Sequence, residues 1–303
     1  MADRKIRSVL ALAALILAVA PLHAAEESSE RAPPAFPTAE FAEGAWEASI
    51  TDGGITGRID YERRPKIDRD LDVPVLKVSV GGKLVLDLAG VASGMEVPAA
   101  SASIAEIDPL RAGKEVYFSS YSGGAHCCTR VTVAESGPAG WTAIEIGSFD
   151  GDGDYLEDLD NDGVAEIVTT DGAFLYAFDC YACSAAPLVI RQLRDGKVVD
   201  VSSEPRFLKD QRDWLAELEA NADPAMRWSS PGFLAGWVAQ SVRAGQGAAA
   251  FKALNDHWDF AADAGEMTCL SGDDLDACAK RDRKLLKFPD RLKLFLARHG
   301  YVI

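Results

Sequence analysis

Histidine is scarce in this chain of 303 residues, which has only His23, His126, His257 and His299. It also contains no Gly-x-Ser-x-Gly elbow and no His-Glu-x-x-His helix. The residue patterns that carry most serine-hydrolase and zinc-peptidase chemistry are therefore missing. Positive charge is in deficit too, with 31 Lys and Arg against 47 Asp and Glu and a formal net charge of −16. That field excludes the broad cationic face on which binding to nucleic-acid phosphates depends. The basic exception, Lys280 to Arg298, reads as the polar face of a surface helix, with a docking face for an anionic partner as the alternative. The apolar run Val9 to Val19 is too short for a good membrane span and soon meets Pro21.

That run reads instead as the core of a secretory signal peptide over residues 1–25. Arg4, Lys5 and Arg7 precede it, and the small-residue site Leu22-His23-Ala24-Ala25 follows. No cysteine lies at the cleavage site, so no lipoprotein anchor is expected. Cleavage removes Asp3, Arg4, Lys5 and Arg7, a net +2, and leaves a periplasmic or secreted chain near −18. All six cysteines fall in the exported part, where an even number points to disulfides. Cys269 and Cys278 are the simplest pair, and closing so short a loop contributes about 2–3 kcal/mol. Cys127, Cys128, Cys180 and Cys183 could form two bridges between neighbouring strands, or one vicinal disulfide and one Cys-x-x-Cys bridge.

Residues 26–45, rich in Pro, Ala, Ser and Glu, read as a flexible leader. Residues 46–203 read as a β domain. Val75 to Val80, Gly81-Gly82 and Lys83 to Leu88 make a two-residue hairpin by turn chemistry. Glu115 to Phe118 and Thr129 to Val133 flank Ser122-Gly123-Gly124 as another. A degenerate repeat relates Ile107-Asp108 and Glu115-Val116-Tyr117 to Leu159-Asp160 and Glu166-Ile167-Val168. Residues 204–303 turn helical. Phe207 to Ala220 has helical apolar spacing, Ser230-Pro231 opens a segment that Gly245 stops, and Pro289 to His299 ends at Gly300. The expected fold class is α+β, a mainly antiparallel β part of propeller-blade-like or sandwich-like units followed by a helical region.

The stretch around which these parts are arranged is Asp158-Leu159-Asp160-Asn161-Asp162-Gly163-Val164-Ala165-Glu166. Alternating carboxylates turn their oxygens inward, and Gly163 supplies the bend. The expected ligands of a Ca²⁺ ion are the side chains of Asp158, Asp160, Asp162 and Glu166 and the Val164 carbonyl. Waters would complete the roughly six or seven oxygens that Ca²⁺ takes. Empty, the acids repel one another, and a cation relieves that cost. The competing reading is a solvated Asp/Gly turn without metal. An EF-hand is excluded because the twelfth position is Thr169 and the flanks, Ala143 to Ile146 and Ile167 to Thr170, are β-type. The adjacent Asp150-Gly151-Asp152-Gly153-Asp154 could hold a second ion but has Tyr155 at its sixth position. Asp-x-Asp-x-Asp-Gly-x-x-acid running into a strand resembles the calcium loop of FG-GAP or VCBS-type repeats, which build integrin-like propellers. Glu166 stands where that family usually has Asp, and one full copy is present.

Elsewhere the chemistry is thinner. His126 and Cys128 would share a strand face, so a Zn²⁺ or Cu site is conceivable, but two ligands do not make one and structural disulfides are expected. Cys180-Tyr181-Ala182-Cys183 follows a β-rich run and soon meets Pro187, unlike a thioredoxin-type motif that opens a helix, so redox catalysis is not expected. The resulting expectation is an exported, calcium-binding, non-enzymatic binding or adhesion-like module of the cell envelope, with a protein or glycan as partner. The alternative is an exported metal-dependent hydrolase using the Asp cluster.

Overall fold

A computed structural model describes residues 36–124, 128–151, 153–272 and 274–303. Three four-stranded antiparallel sheets follow one another along the chain, each a simple meander. The first comprises β1 (Glu47–Asp52), β2 (Ile55–Arg63), β3 (Asp72–Val80) and β4 (Lys83–Ala89), in that order. The second comprises β5 (Ala100–Ala105), β6 (Glu115–Tyr121), β7 (Thr129–Gly137) and β8 (Gly140–Phe149). The third comprises β9 (Leu156–Glu157), β10 (Glu166–Thr170), β11 (Leu188–Arg194) and β12 (Lys197–Asp200). Helices α1 (Leu208–Asn221), α2 (Pro231–Arg243), α3 (Gly247–His257) and α4 (Phe288–Arg298) come after them. The class is α+β, as expected. The sheets are blade-like in connectivity, but they do not close into a propeller.

Side-chain alternation on β6 explains how they are layered. Val116 and Phe118 point into a core shared with Ile59, Leu76 and Val78 of the first sheet, while Tyr117 points into one shared with Leu156, Ile167 and Leu193 of the third. The middle sheet is thus covered on both faces, and all of β6 except Tyr121 is buried. The third sheet's other face carries Leu188 and Ile190 against Val201, Phe207 and Trp214, which leads into the helical core around Leu234, Val238 and Leu254. Gln240 ties the layers, its Oε1 accepting from the Leu188 N–H at 2.8 Å while its Nε2 donates to the Gln211 carbonyl at 2.6 Å. The glycine hairpin at β3–β4 forms as read, with Gly81 and Gly82 both at positive φ.

Three features differ from the sequence reading. The segment Phe36 to Phe41, placed by composition in a flexible leader, lies along β5. Ala39 donates to the Ala102 carbonyl at 2.8 Å, Ile104 donates to the Pro37 carbonyl at 3.0 Å, and Ala39 and Phe41 join the first core. Three apolar residues spaced among prolines are enough to dock an edge segment even without strand periodicity. The region after 204 is not wholly helical, because β13 (Glu266–Cys269) and β14 (Arg283–Leu286) pair antiparallel within it. Finally, the basic residues from 280 to 298 do not form one helix face. Arg283 and Arg298 donate to the carbonyls of Cys278 and of Cys269 and Gly272, and Arg291 pairs with Glu266 at 2.6 Å. Much of that charge braces the loop closed by the Cys269–Cys278 disulfide, which forms as expected. Among the described residues no helix is long and apolar enough to cross a membrane.

Candidate functional site

The turn Asp158–Glu166 joins β9 to β10, and its ends are pinned because Glu157 pairs with Glu166 and Leu156 with Ile167. Inside it the acidic residues first build the turn. Asp158 accepts the Asp162 and Gly163 N–H groups at 3.0 and 3.1 Å, and Asp162 accepts the Val164 N–H at 2.8 Å. Asn161 and Gly163 take positive φ of 60° and 87°, the conformation these two residue types tolerate best. Glu166 is fully buried, with one oxygen accepting from the Leu159 N–H at 3.1 Å and the other from Gln192 Nε2 at 2.7 Å. Loss of water pushes its carboxyl up to about 7, aided by the Asp160 charge and opposed by those two donors.

The structure brings Asp158, Asp160 and Glu166 together, with one oxygen from each lying within 4.8 Å of the others. Asp160 Oδ1 is buried and has no hydrogen-bond partner. Asp162 is the most exposed of the acids and leans toward the same centre, while Val164 is half-buried beside it.

Arg206 is the residue that the sequence reading missed. It belongs to the single turn Pro205–Phe207 that carries the chain from the third sheet into α1. Its Nη1 lies 2.7 Å from Asp160 Oδ2, 3.3 Å from Asp162 Oδ2 and 4.0 Å from Glu166 Oε1, while Nε reaches Glu204 at 3.0 Å. The acids are therefore not left to repel one another, since an internal cation already covers them. No local spacing marks Arg206, because its 46-residue separation from Asp160 is closed by β10, β11 and β12.

The degenerate repeat has a geometric counterpart. Glu115 opens β6 as Glu166 opens β10, and it turns back to accept the Ile107 and Asp108 N–H groups at 2.7 and 3.2 Å. Burial pushes its carboxyl up to about 7 as well. Arg111 covers this second loop, 3.0 Å from Glu135 and 3.8 Å from Asp108. The two loops touch through the Ala165 N–H, which donates to the Glu106 carbonyl at 2.7 Å.

Other sequence candidates fall as follows. In the run 150–154, Asp152 lies outside the described residues. The Gly151 and Gly153 carbonyls there accept from the hydroxyls of Thr129 and Tyr117, which moors the run to β7 and β6. Cys180 pairs with Cys183, which removes the option of two bridges between neighbouring strands. Asp179 lies beside that pair, but the sulfurs are engaged with each other. Cys128 is disulfide-bonded, and His126 and Cys127 lie outside the described residues. His257 and His299 stack on Trp228 and Phe295 at 4.3 and 4.1 Å, in the helical part.

The sll0997 C-terminal domain family matches residues 211–300, from α1 to the end of α4. Over 257 residues the chain is 34% identical to the probable thylakoid lumen protein sll0997 of Synechocystis, a match covering 84% of this chain and 75% of that protein. It is 32% identical over 198 residues to the uncharacterized protein y4bJ of Sinorhizobium fredii, covering 65% of this chain and 31% of that one, so it spans about a third of that relative. No solved structure matches the chain. The extent and identity of the first match establish that the chain belongs to the family of the probable thylakoid lumen protein sll0997.

Proposed function

We propose that the chain is an exported, non-enzymatic calcium-binding module of the cell envelope, in which the loop Asp158–Glu166 takes one Ca²⁺ as a structural staple. The observation that carries this reading is the convergence of Asp158, Asp160 and Glu166, one oxygen of each within 4.8 Å of the others, in a cluster where Asp160 also keeps a buried Oδ1 without a hydrogen-bond partner. Oxygen-only donors suit a hard cation, and Asp162 and the Val164 carbonyl would complete the set. The likeness of the loop to FG-GAP and VCBS-type calcium loops points the same way. Binding would exchange one cation for another, with Arg206 giving up its place over the acids. Export is supported by the signal-peptide pattern, by the paired cysteines, and by the thylakoid lumen in the name of the sll0997 relative. The module's partner would be a protein or glycan of the envelope.

An extracellular-type calcium module binds at about 10⁻⁴ to 10⁻³ M. At ~1 mM Ca²⁺ and a Kd of ~0.1 mM, linkage gives roughly 1.4 kcal/mol of stabilisation. The test is a pair of melting curves, with Ca²⁺ and with chelator, for the wild type and Asp160→Ala. The wild type should gain stability with Ca²⁺ and the variant should lose most of that gain. An identical wild-type transition in both conditions would dispose of the proposal.

A further inference from the structure

Cys180-Tyr181-Ala182-Cys183 folds as one tight turn in which the Cys183 N–H donates to the Cys180 carbonyl at 3.0 Å and the two sulfurs are bonded. Both half-cystines are exposed, whereas Cys269 and Cys278 are buried at 4% and 7% exposure. Thiol–disulfide exchange requires a thiolate to reach a sulfur, so the two bridges are unequal targets. The four-residue loop also constrains the unfolded chain less than the ten-residue loop does, so opening it disturbs the fold less.

The turn is seated on a platform that does not depend on its sulfur–sulfur bond. Ser230 Oγ donates to the Cys183 carbonyl at 3.3 Å, Ser184 Oγ donates to the Cys180 carbonyl at 2.9 Å, and the Ala185 N–H donates to the Gly232 carbonyl at 3.3 Å. Gly232 and Gly236 of α2 let the backbone come this close. A Cβ at Gly232 would stand 2.8 Å from the Cys183 carbonyl oxygen, and one at Gly236 would stand 2.1 Å from that of Ala185.

Beside the turn, Tyr176 holds φ at 64° and is 62% exposed, its ring tilted by 45° against the Tyr181 ring of the Cys-x-x-Cys loop with 5.6 Å between centroids. A bulky residue in the left-handed region is strained, and strain of this kind concentrates at functional sites. The strained backbone here presents an aromatic ledge next to an accessible disulfide. On another side, Cys183 borders a cavity of about 500 Å³ with Asp179, Met226 and Phe233.

We propose that Cys180 and Cys183 form a redox-active pair that oxidises a cysteine pair of a partner polypeptide. A partner thiolate attacks one sulfur of the bridge. The Cys180–Cys183 bond breaks, and the other sulfur leaves as a thiolate that takes up a proton. The partner's second thiolate then attacks the mixed disulfide. This leaves Cys180 and Cys183 as two thiols and the partner as a disulfide, with two electrons and two protons transferred to this chain. The sequence expected no redox role because the motif opens no long helix. The structure agrees that only a single turn follows Cys180, so the exchange rests on access and a fixed turn, not on a helix dipole.

The test uses the full exported chain, equilibrated without denaturant in dithiothreitol redox buffers, then alkylated and mapped by mass. Cys180–Cys183 should be half-reduced at a ratio of reduced to oxidised dithiothreitol at least about tenfold lower than the one that opens Cys269–Cys278. In a second arm, a synthetic dithiol peptide should be oxidised faster by the wild type than by the Cys180→Ala/Cys183→Ala variant. Tyr176→Gly should slow peptide oxidation severalfold while leaving the dithiothreitol titration unchanged. Reduction of both bridges at one ratio, which needs no variant to observe, would overturn the proposal. So would peptide oxidation no faster than without protein, or a Tyr176→Gly variant as fast as wild type.

Discussion

Arg206 Nη1 sits 2.7 Å from Asp160 Oδ2, so the acidic cluster already carries a counter-charge from the same chain that a divalent cation would have to compete with. In chelator, Arg206→Ala should cost about 1–3 kcal/mol, the usual penalty for leaving charged acceptors without their donor. In Ca²⁺ the same variant should recover most of that loss and bind the ion more tightly than wild type, because no intramolecular competitor remains. Urea denaturation of both proteins in both conditions measures the difference. An equal calcium increment in the two would show that Arg206 does not compete.

Glu115 provides a pH handle away from the acidic turn Asp158–Glu166. Its folded-state carboxyl titrates near 7 because burial outweighs the two backbone donors, against an ordinary value of 4.5. Between these values the folded state holds a proton that the unfolded state has lost. Stability is therefore highest below about 4.5, falls as pH rises toward 7, and levels off above it. The upper bound for this one group is about 3 kcal/mol. Glu115→Gln keeps an oxygen for the Ile107 and Asp108 N–H groups and cannot ionise, so thermal midpoints taken from pH 5 to 8 should show a shallower decline. A profile parallel to wild type would mean that Glu115 is not the group responsible.

Much of the frame was legible because it rests on local chemistry. Gly81-Gly82 marked a hairpin, Ser230-Pro231 marked the start of α2, and Gly245 and Gly300 stand past the ends of α2 and α4 at positive φ. The acidic loop was legible through its alternating carboxylates. What escaped the sequence lies in long-range contacts. The ion pairing of Arg206 with Asp160 and the docking of Phe36 to Phe41 on β5 are contacts that no local period encodes. The helix α3 had a signal that went unused in its run Gly247-Ala248-Ala249-Ala250, since alanine is the strongest helix former.

Gly236 shows how a helix propensity rule is overruled by packing. In an isolated helix Gly→Ala would gain nearly 1 kcal/mol. Here the new Cβ would stand 2.1 Å from the Ala185 carbonyl oxygen, a backbone atom that cannot move without dragging the turn ahead of β11. Gly236→Ala should therefore destabilise the chain by about 1–3 kcal/mol, the cost of overpacking. Chemical denaturation reads the sign, and a stabilised variant would mean that the segment at Ala185 is free to shift.

Asp108 separates the two related loops. It is fully buried and accepts three backbone donors. Leu110 lies within its own loop, and Asp195 and Gly196 form the turn between β11 and β12, with distances of 3.0, 3.0 and 2.7 Å. Asp195 and Gly196 both take positive φ, so this is the tight two-residue hairpin that Asp-Gly favours, and Asp108 caps it from the neighbouring sheet. In this loop a carboxylate and Arg111 do the organising work that Arg206 does over the acids of the other loop. Asp108→Ala strips three donors of their acceptor and should cost on the order of 3 kcal/mol. Asp108→Asn keeps one oxygen and should recover part of that. Neither loss should depend on calcium, whereas Asp160→Ala should change the calcium increment itself. Melting the three variants with Ca²⁺ and with chelator therefore reads the two loops separately. A calcium-sensitive deficit in Asp108→Ala would show that the loop around Asp108 responds to the ion too, and that the two loops are not separate.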